Sequence, residues 1–365
     1  MRSGWKSRTL SHKTAADMDK DMSGQSARDD DQMFDFTHSA IDSNAAAFYF
    51  SSFFNTDSPL PDSESVKTLP FDFSCDEDLL NWAAITIMHA PSARALSKIL
   101  TDAQWVVTLE SLHNNGYHID TAEKRITLDN YAMESDALGR SVFFRNDLLL
   151  NIVRAIRDVW HETRFTTSAM DYSVEDVLLL ERVRAADSDT FAVLAAWELR
   201  GEGFSDVWRH MIGAEEGDMA LAFSGYLEKD PRSLFNGRAL AQAFRTWHEN
   251  EQRVDACDHE TLEMLDDLIL SAGGESPFGN ASLAKDRIEA VSRLPNGVFY
   301  LRDMAGMIRR DPFYAGLTDP INQAHLFQII YDLKVTRVND VPFRDRILAE
   351  KIFPDGIMQE NWSEV

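Results

Sequence analysis

Two long segments with helical periodicity follow each other in the middle of the chain, and they constrain the fold most. In residues 140–166, apolar side chains recur at helical spacing; they are Leu148, Leu149, Ile152, Val153, Ile156 and Val159. The second segment begins at a capping-box-like sequence, SVED at residues 173–176, and continues to about residue 200. Because the connection is short, we expect two antiparallel helices in contact.

Shorter elements surround this helix pair. Two helices are predicted before it, the second of which begins at Pro91. Short runs at 117–119 and 125–128, separated by a polar turn, predict a hairpin. Further helices follow toward the C-terminus. The predicted fold class is therefore mainly α with a small β hairpin or sheet (α+β).

Composition divides the chain into three predicted parts. Residues 1–70 are rich in Ser, Asp and Thr, which predicts a disordered acidic and Ser-rich arm, with an aromatic cluster at 48–54 as its exception. Residues 76–272 form the predicted helical domain. After a Gly-rich linker, residues 281–365 form a smaller C-terminal helical region.

Charge and hydropathy exclude several classes of protein. The net charge of −24 argues against nucleic acid and anionic membranes as partners and leaves a peptide or protein partner. Two cysteines give no disulfide framework. The N-terminal residues lack the apolar core of a signal peptide, and no apolar run reaches about 20 residues. These features predict a cytoplasmic protein and indicate no particular oligomeric state.

The first long helix carries a His-Glu pair, His161 and Glu162, within the sequence VRAIRDVWHETR. At 100° per residue, Arg154, Arg157, Asp158 and His161 lie opposite the apolar stripe, with Glu162 beside them. A side of a helix that carries this many charges is usually solvated. A solvent-exposed face is therefore the simplest interpretation of these residues.

The second long helix argues against that interpretation. Asp187 lies in the middle of its apolar stripe, between Val183 and Phe191, and Glu198 follows on nearly the same line. A carboxylate among apolar side chains is costly to desolvate unless a cation meets it. The preceding helix offers such partners, and they are Arg154, Arg157 and His161.

The order of these elements resembles that of gluzincin-type metallopeptidases. A hairpin (HIDTAEKRITLDN), a helix with a His-Glu pair and a second helix carrying an acid (ERVRAADSD) follow one another, and Asp187 comes 26 residues after His161. More narrowly, RAIRDVWHETR, LERVRAADSDTFAVLAAWELR and FRTWHENEQRVDACDHETLE are similar to a bacterial family of unknown function labelled "putative metallopeptidase". The resemblance covers residues 81–267 and implies a zincin-like helical core.

The resemblance also implies functional residues. Glu162 would be the general base of peptide hydrolysis, and His161 and Asp187 would be ligands of a zinc ion. However, Phe165 stands where HExxH has its second histidine. In the frame four residues earlier, Arg157 and Asp158 replace the first histidine and the glutamate. Catalytic zinc usually has three protein ligands, so these residue types favour no metal over zinc.

An arginine–aspartate pair is the alternative to a metal site. The guanidinium of Arg157 or Arg154 would meet Asp187 with two parallel hydrogen bonds, which gives a non-catalytic pseudoenzyme. Arg157→Ala should then reduce the free energy of unfolding by about 3–5 kcal/mol, because it orphans a buried acid. A measured loss below about 1 kcal/mol would contradict the pairing. A further alternative is a helical interaction module whose acidic surface binds a basic partner.

Overall fold

The structure is a computed structural model of the full chain. It describes residues 60–69, 71–112, 116–164, 171–272 and 276–334, together with the backbone of four strands outside these ranges. Most of the predicted arm, including residues 50–54 of its aromatic cluster, lies outside the described residues, as does Phe165. The chain divides into two compact units. Unit 1 comprises Met1–Glu162 and Leu194–Ala214, and unit 2 comprises Thr163–Val193 and Glu215–Val365.

Unit 1 contains a sheet and six helices among its described residues, and one further helix continues into it from unit 2. The strands are β1 (Arg8–Ser11), β2 (Phe48–Tyr49), β3 (Val106–Glu110), β4 (Tyr117–Asp120) and β5 (Arg125–Asp129). The helices are α1 (Ser63–Lys67), α2 (Asp76–Ile87), α3 (Pro91–Asp102), α4 (Ser135–Arg140), α5 (Val142–Arg164), the C-terminal part of α6 (Val174–Gly201) and α7 (Ser205–Gly213).

The five strands form one mixed sheet in the order β1-β4-β5-β3-β2. The predicted hairpin is confirmed, because β4 and β5 pair antiparallel, with Tyr117 opposite Leu128 and Asp120 opposite Arg125. The side chain of Asp120 accepts hydrogen bonds from the backbone N–H groups of Ala122 and Glu123, each at 2.9 Å, and so fixes the turn. Two short strands of the predicted arm, β1 and β2, join the sheet at its edges.

The helix α5 is enclosed along most of its length. All 17 residues from Arg145 to His161 are buried, on every side of the helix. Helices that are buried all round normally carry apolar residues all round. In α5 the apolar stripe instead faces away from a buried polar stripe, whose hydrogen bonds must therefore be made inside the protein.

The described residues of unit 2 are mainly helical, and a short hairpin follows the last of these helices. Its helices are the N-terminal part of α6, α8 (Gly217–Lys229), α9 (Ser233–Asn236), α10 (Arg238–Glu249), α11 (Glu251–Ser271), α12 (Lys285–Val291), α13 (Ala305–Ile308), α14 (Pro312–Ala315) and α15 (Pro320–Lys334). The hairpin is β6 (Thr336–Val338) with β7 (Val341–Phe343). Residues of α6, α11 and α15 share a core cluster, namely Val174, Val177, Leu178, Leu262, Leu265 and Ile329.

The predicted fold class, mainly α with a small sheet, is confirmed. The zincin-like core stays a prediction, and so do the boundaries at 76–272 and 281–365. None of the helices in the described part of the chain combines the length and the apolar composition that crossing a membrane requires.

Candidate functional site

The face of α5 that carries the His-Glu pair is buried, so the interpretation of a solvated face is wrong. Arg157, Asp158 and His161 have no exposed surface, and Arg154 has only 3%. A helical wheel identifies the residues that share a side, but it does not reveal what covers that side. Here the charged side is covered as completely as the apolar one.

The buried polar residues of α5 form a single stripe. Asp147, Asn151, Arg154, Asp158 and His161 are separated by four, three, four and three residues. At 3.6 residues per turn this spacing keeps all five side chains on one face, over about four turns. The stripe, rather than the His-Glu pair alone, is therefore the candidate functional feature of unit 1.

At its C-terminal end the stripe contacts the sheet. Tyr117 of β4 donates its hydroxyl to Oδ2 of Asp158 at 2.5 Å. Oδ1 of Asp158 lies 3.5 Å from Nδ1 of His161. An anionic oxygen on one side of an imidazole restricts the orientation of the ring. Tyr117 thus fixes the carboxylate of Asp158, which lies beside the Nδ1 edge of His161.

An arginine stacks on the tryptophan that contacts this imidazole. The guanidinium of Arg157 lies 4.1 Å from the ring centre of Trp160, and the rings of Trp160 and His161 are 5.3 Å apart, edge to face. Arginine remains charged when buried, and it stacks readily on aromatic faces. In the frame of HExxH that ends at His161, the position of the first histidine thus carries the positive charge of Arg157.

At its N-terminal end the stripe forms a second network. Asp147 accepts a hydrogen bond from the hydroxyl of Tyr131 at 2.6 Å, and Nε2 of His210 lies 3.3 Å from its other oxygen. Asn151 donates to the Tyr131 oxygen at 3.1 Å and accepts from Arg154 at 3.2 Å. Burial first, and then the negative charge of Asp147, raise the pKa of Tyr131 above its usual value.

The remaining predicted residues lie in different places. Glu162 is half-buried near the end of α5. Asp187 is fully buried, and its Oδ1 accepts a hydrogen bond from the hydroxyl of Tyr300 at 2.6 Å. Because His161 and Glu162 belong to unit 1 and Asp187 to unit 2, their combination in one site stays a prediction.

Glu198 has a partner that the sequence did not indicate. Its two carboxylate oxygens accept hydrogen bonds from the backbone N–H and the hydroxyl of Ser92, at 2.9 and 2.6 Å. Burial raises the pKa of Glu198, and the two bonds from Ser92 oppose that rise. Ser92 lies in the first turn of α3, whose N-cap residue, Ala90, has no side-chain acceptor. Glu198 therefore supplies the missing N-terminal cap of α3.

The described side chains of unit 1 around His161 do not supply the three ligands of a catalytic zinc site. Around His161, unit 1 offers Asp158, which accepts the Tyr117 hydroxyl, and Glu162, which HExxH uses as a base. Within the described ranges, no group of three or more His, Cys, Asp and Glu side chains is arranged to hold a metal ion. Three ligands with one open position are the usual requirement of catalytic zinc.

Sequence reasoning missed three residues that determine the local geometry. Tyr117, Tyr131 and His210 hold the two ends of the stripe, yet they lie 16 to 63 residues from the α5 side chains that they contact. The spacing of the polar residues was a signal for the stripe itself. No local pattern indicates which distant hydroxyl or imidazole meets it.

Comparison with known proteins agrees with the suggested resemblance. A search of the curated proteins and a search of the solved structures found no match. A family model matches residues 77–301, and its description is "Putative metallopeptidase family (DUF6782)". The match extends over more than half of the chain and includes the stripe, Asp187 and Glu198. The chain therefore belongs to this family, whose name refers to metallopeptidases and whose function is not known.

Proposed function

We propose that this protein is a divergent, non-catalytic member of its family, a pseudoenzyme in which α5 keeps His161 and Glu162 without a catalytic zinc ion. In this proposal, the polar stripe serves the packing of unit 1, and the protein acts by binding a partner rather than by hydrolysing peptide bonds. The net charge of −24 favours a basic peptide or protein as that partner.

The position of Arg157 is the observation that carries this proposal. A dication held by the imidazole of His161 would lie within about 13 Å of the guanidinium, with a repulsion of at least about 2.5 kcal/mol at an effective dielectric constant of ~20. An acidic neighbour of Arg157 would offset part of this energy. The same carboxylate, however, would then be engaged by the arginine and less available to a metal.

The donor set supports the same conclusion. With Phe165 in place of the second histidine, either frame of the motif retains one imidazole. The nearest carboxylate in the stripe, Asp158, accepts the hydroxyl of Tyr117 and faces the Nδ1 edge of His161. This arrangement places a carboxylate beside a histidine ring, but it does not supply three ligands around an open position.

The metal content of the full-length protein tests the proposal. Protein purified without chelator should contain well under one zinc per chain, and His161→Ala should leave that value unchanged. His259→Ala is the matched control, because His259 is half-exposed and contacts Glu263 at 3.3 Å. Near-stoichiometric zinc that His161→Ala removes and His259→Ala retains would overturn the proposal.

A peptidase assay on the same preparations separates the two functions. The alternative is an active metallopeptidase in which Glu162 takes a proton from the attacking water. With a mixture of fluorogenic peptides, we expect no turnover above background in either the wild type or Glu162→Gln. Turnover by the wild type that falls by roughly 100-fold or more in Glu162→Gln would establish the enzyme instead.

A further inference from the structure

Four aromatic rings and the carboxylate of Asp147 form a closed circle of contacts at the N-terminal end of the polar stripe. The ring of Phe143 lies 4.8 Å from His210 and 5.2 Å from Phe144, and Phe144 lies 4.8 Å from Tyr131. Tyr131 and His210 both contact the carboxylate of Asp147, which closes the circle. We call these four rings the aromatic collar.

The loop before α4 holds the tyrosine of the collar in an unusual backbone conformation. Tyr131 and Ala132 have φ angles of 56° and 54°, in the left-handed region. The side chain of Asp129 accepts the N–H of Tyr131, and that of Asn130 accepts the N–H of Ala132, each at 2.9 Å. Such a conformation costs free energy and persists where the surroundings fix it. The conformation of this loop therefore directs the Tyr131 hydroxyl onto Asp147.

The histidine of the collar has one nitrogen to offer a ligand. The His210 side chain is 6% exposed, and its Nε2 faces Oδ1 of Asp147. In the tautomer that donates Nε2–H to this carboxylate, Nδ1 carries the lone pair of the ring. Among the residues that the structure describes, Asp147 alone forms a hydrogen bond or ion pair with this ring. Phe143, which packs on the ring, is 60% exposed.

These features favour a cation that can donate hydrogen bonds. The faces of aromatic rings carry negative potential and attract cations. Asp147 adds a negative charge beside Tyr131 and His210, Nδ1 of His210 adds an acceptor, and the chain as a whole carries −24. Guanidinium fits better than ammonium, because it is planar, stacks on a ring and keeps its N–H groups in the plane.

We propose that the aromatic collar binds the guanidinium of an arginine side chain in a basic peptide. The guanidinium stacks on the exposed ring of Phe143 and donates an N–H to Nδ1 of His210, while the neighbouring Asp147 contributes its negative charge. This site lies 14 residues, about 21 Å along the helix, from His161. The collar proposal adds a partner class, arginine-containing basic peptides, to the proposed binding function. It holds whether or not the protein binds zinc at His161.

The test compares two small probes that differ in charge. N-acetyl-arginine amide and its neutral isostere N-acetyl-citrulline amide are titrated into the full-length protein, with the His210 and Phe143 ring signals followed by NMR. We expect the arginine derivative to bind roughly tenfold more tightly, from the cation–aromatic contact and the charged hydrogen bond. Binding should weaken as salt is added.

Three variants locate the binding. Phe143→Leu removes an exposed ring without disturbing the interior, and His210→Phe keeps a ring but removes the acceptor. Each should weaken binding of the arginine derivative by roughly fivefold or more. Phe235→Leu, at a 75% exposed ring in unit 2, is the control and should bind as the wild type does.

Three results would overturn the proposal. They are equal binding of the arginine and citrulline derivatives, wild-type affinity in Phe143→Leu, and a loss in Phe235→Leu as large as that in Phe143→Leu. Thermal unfolding of each variant shows that it is folded. A failure here would leave the zinc measurement and its conclusion unchanged, so the two proposals can fail separately.

Discussion

Replacing Arg182 by methionine is expected to lower the free energy of unfolding by about 3–5 kcal/mol. Arg182 lies on α6 and is almost fully buried. Its Nε and Nη2 donate to the carboxylate of Asp258 on α11 at 2.7–2.9 Å. Its Nη1 donates to the carbonyl oxygens of Tyr314 and Gly316, at 2.5 and 3.1 Å. Methionine preserves much of the volume, but it leaves a buried carboxylate and two carbonyls without their donor.

The loss in Arg182→Met should be larger at pH 8 than at pH 5. Burial raises the pKa of Asp258 to about 6, and the charge of Arg182 opposes that rise. At pH 5 the carboxyl group is largely protonated, so the missing arginine leaves a neutral group, which costs less to bury than an anion. Urea unfolding at the two pH values measures the difference.

Two further variants make this prediction specific. Arg309→Met changes an exposed arginine of the same unit and should alter stability by less than about 0.5 kcal/mol. The double variant Arg182→Met with Asp258→Leu should recover part of the loss, because it removes the orphaned acid. A loss below about 1 kcal/mol in Arg182→Met at pH 8 would show that these bonds contribute little net stability.

Acid should destabilise the wild type more than it destabilises His248→Asn. His248 lies on α10 among the rings of Phe244, Trp247 and Tyr314, with ring centres 4.8–5.0 Å away. Burial lowers its pKa to about 3, and the hydrogen bond from Nδ1 to the Phe244 carbonyl, at 3.0 Å, opposes that change. The folded protein therefore keeps this histidine neutral well below the pH at which an exposed one takes up a proton.

The sign of the effect follows from the lowered pKa. An unfolded chain protonates this histidine near pH 6.5, whereas the folded chain does so only near pH 3. Its contribution to stability is complete above pH 6.5 and is lost as the pH falls toward 3. Between pH 7.5 and 4.5, we expect the wild type to lose about 2.5 kcal/mol more than His248→Asn.

The comparison removes the contribution of the carboxylates, which titrate in the same range. Asparagine keeps a donor for the Phe244 carbonyl, but it has no proton to gain. His259→Asn, at a half-exposed histidine of α11, is the matched control and should follow the wild type. An equal loss of unfolding free energy in wild type and His248→Asn as the pH falls would mean that His248 does not titrate as its burial requires.

The helices and the hairpin could be predicted because their signals are local. The apolar spacing of residues 140–166 and the SVED sequence before the second segment correspond to α5 and α6 within a few residues. The polar turn after Asp120 corresponds to the β4–β5 connection. Each of these signals lies within one element or one turn, where backbone geometry alone decides the outcome.

The polar face of α5 was predicted only in part. The spacing identified which residues share a side with His161, and that grouping is found in the stripe. Its burial was not predicted, because charged residues on one side of a helix are usually a sign of solvent. Whether they are solvated depends on what packs over them, which is a property of the tertiary structure.

The sequence by itself determined the mainly helical class, the hairpin and the membership of a family to which these motifs belong. Only the tertiary structure decided the partners of the charged side chains: Tyr117 for Asp158, Ser92 for Glu198 and Asp258 for Arg182. The physical reason is the distance along the chain over which each kind of interaction acts. Periodicity and turn chemistry act over a few residues, whereas a buried charge is satisfied by whichever donor or acceptor the fold brings within about 3 Å, here from 41 to 106 residues away.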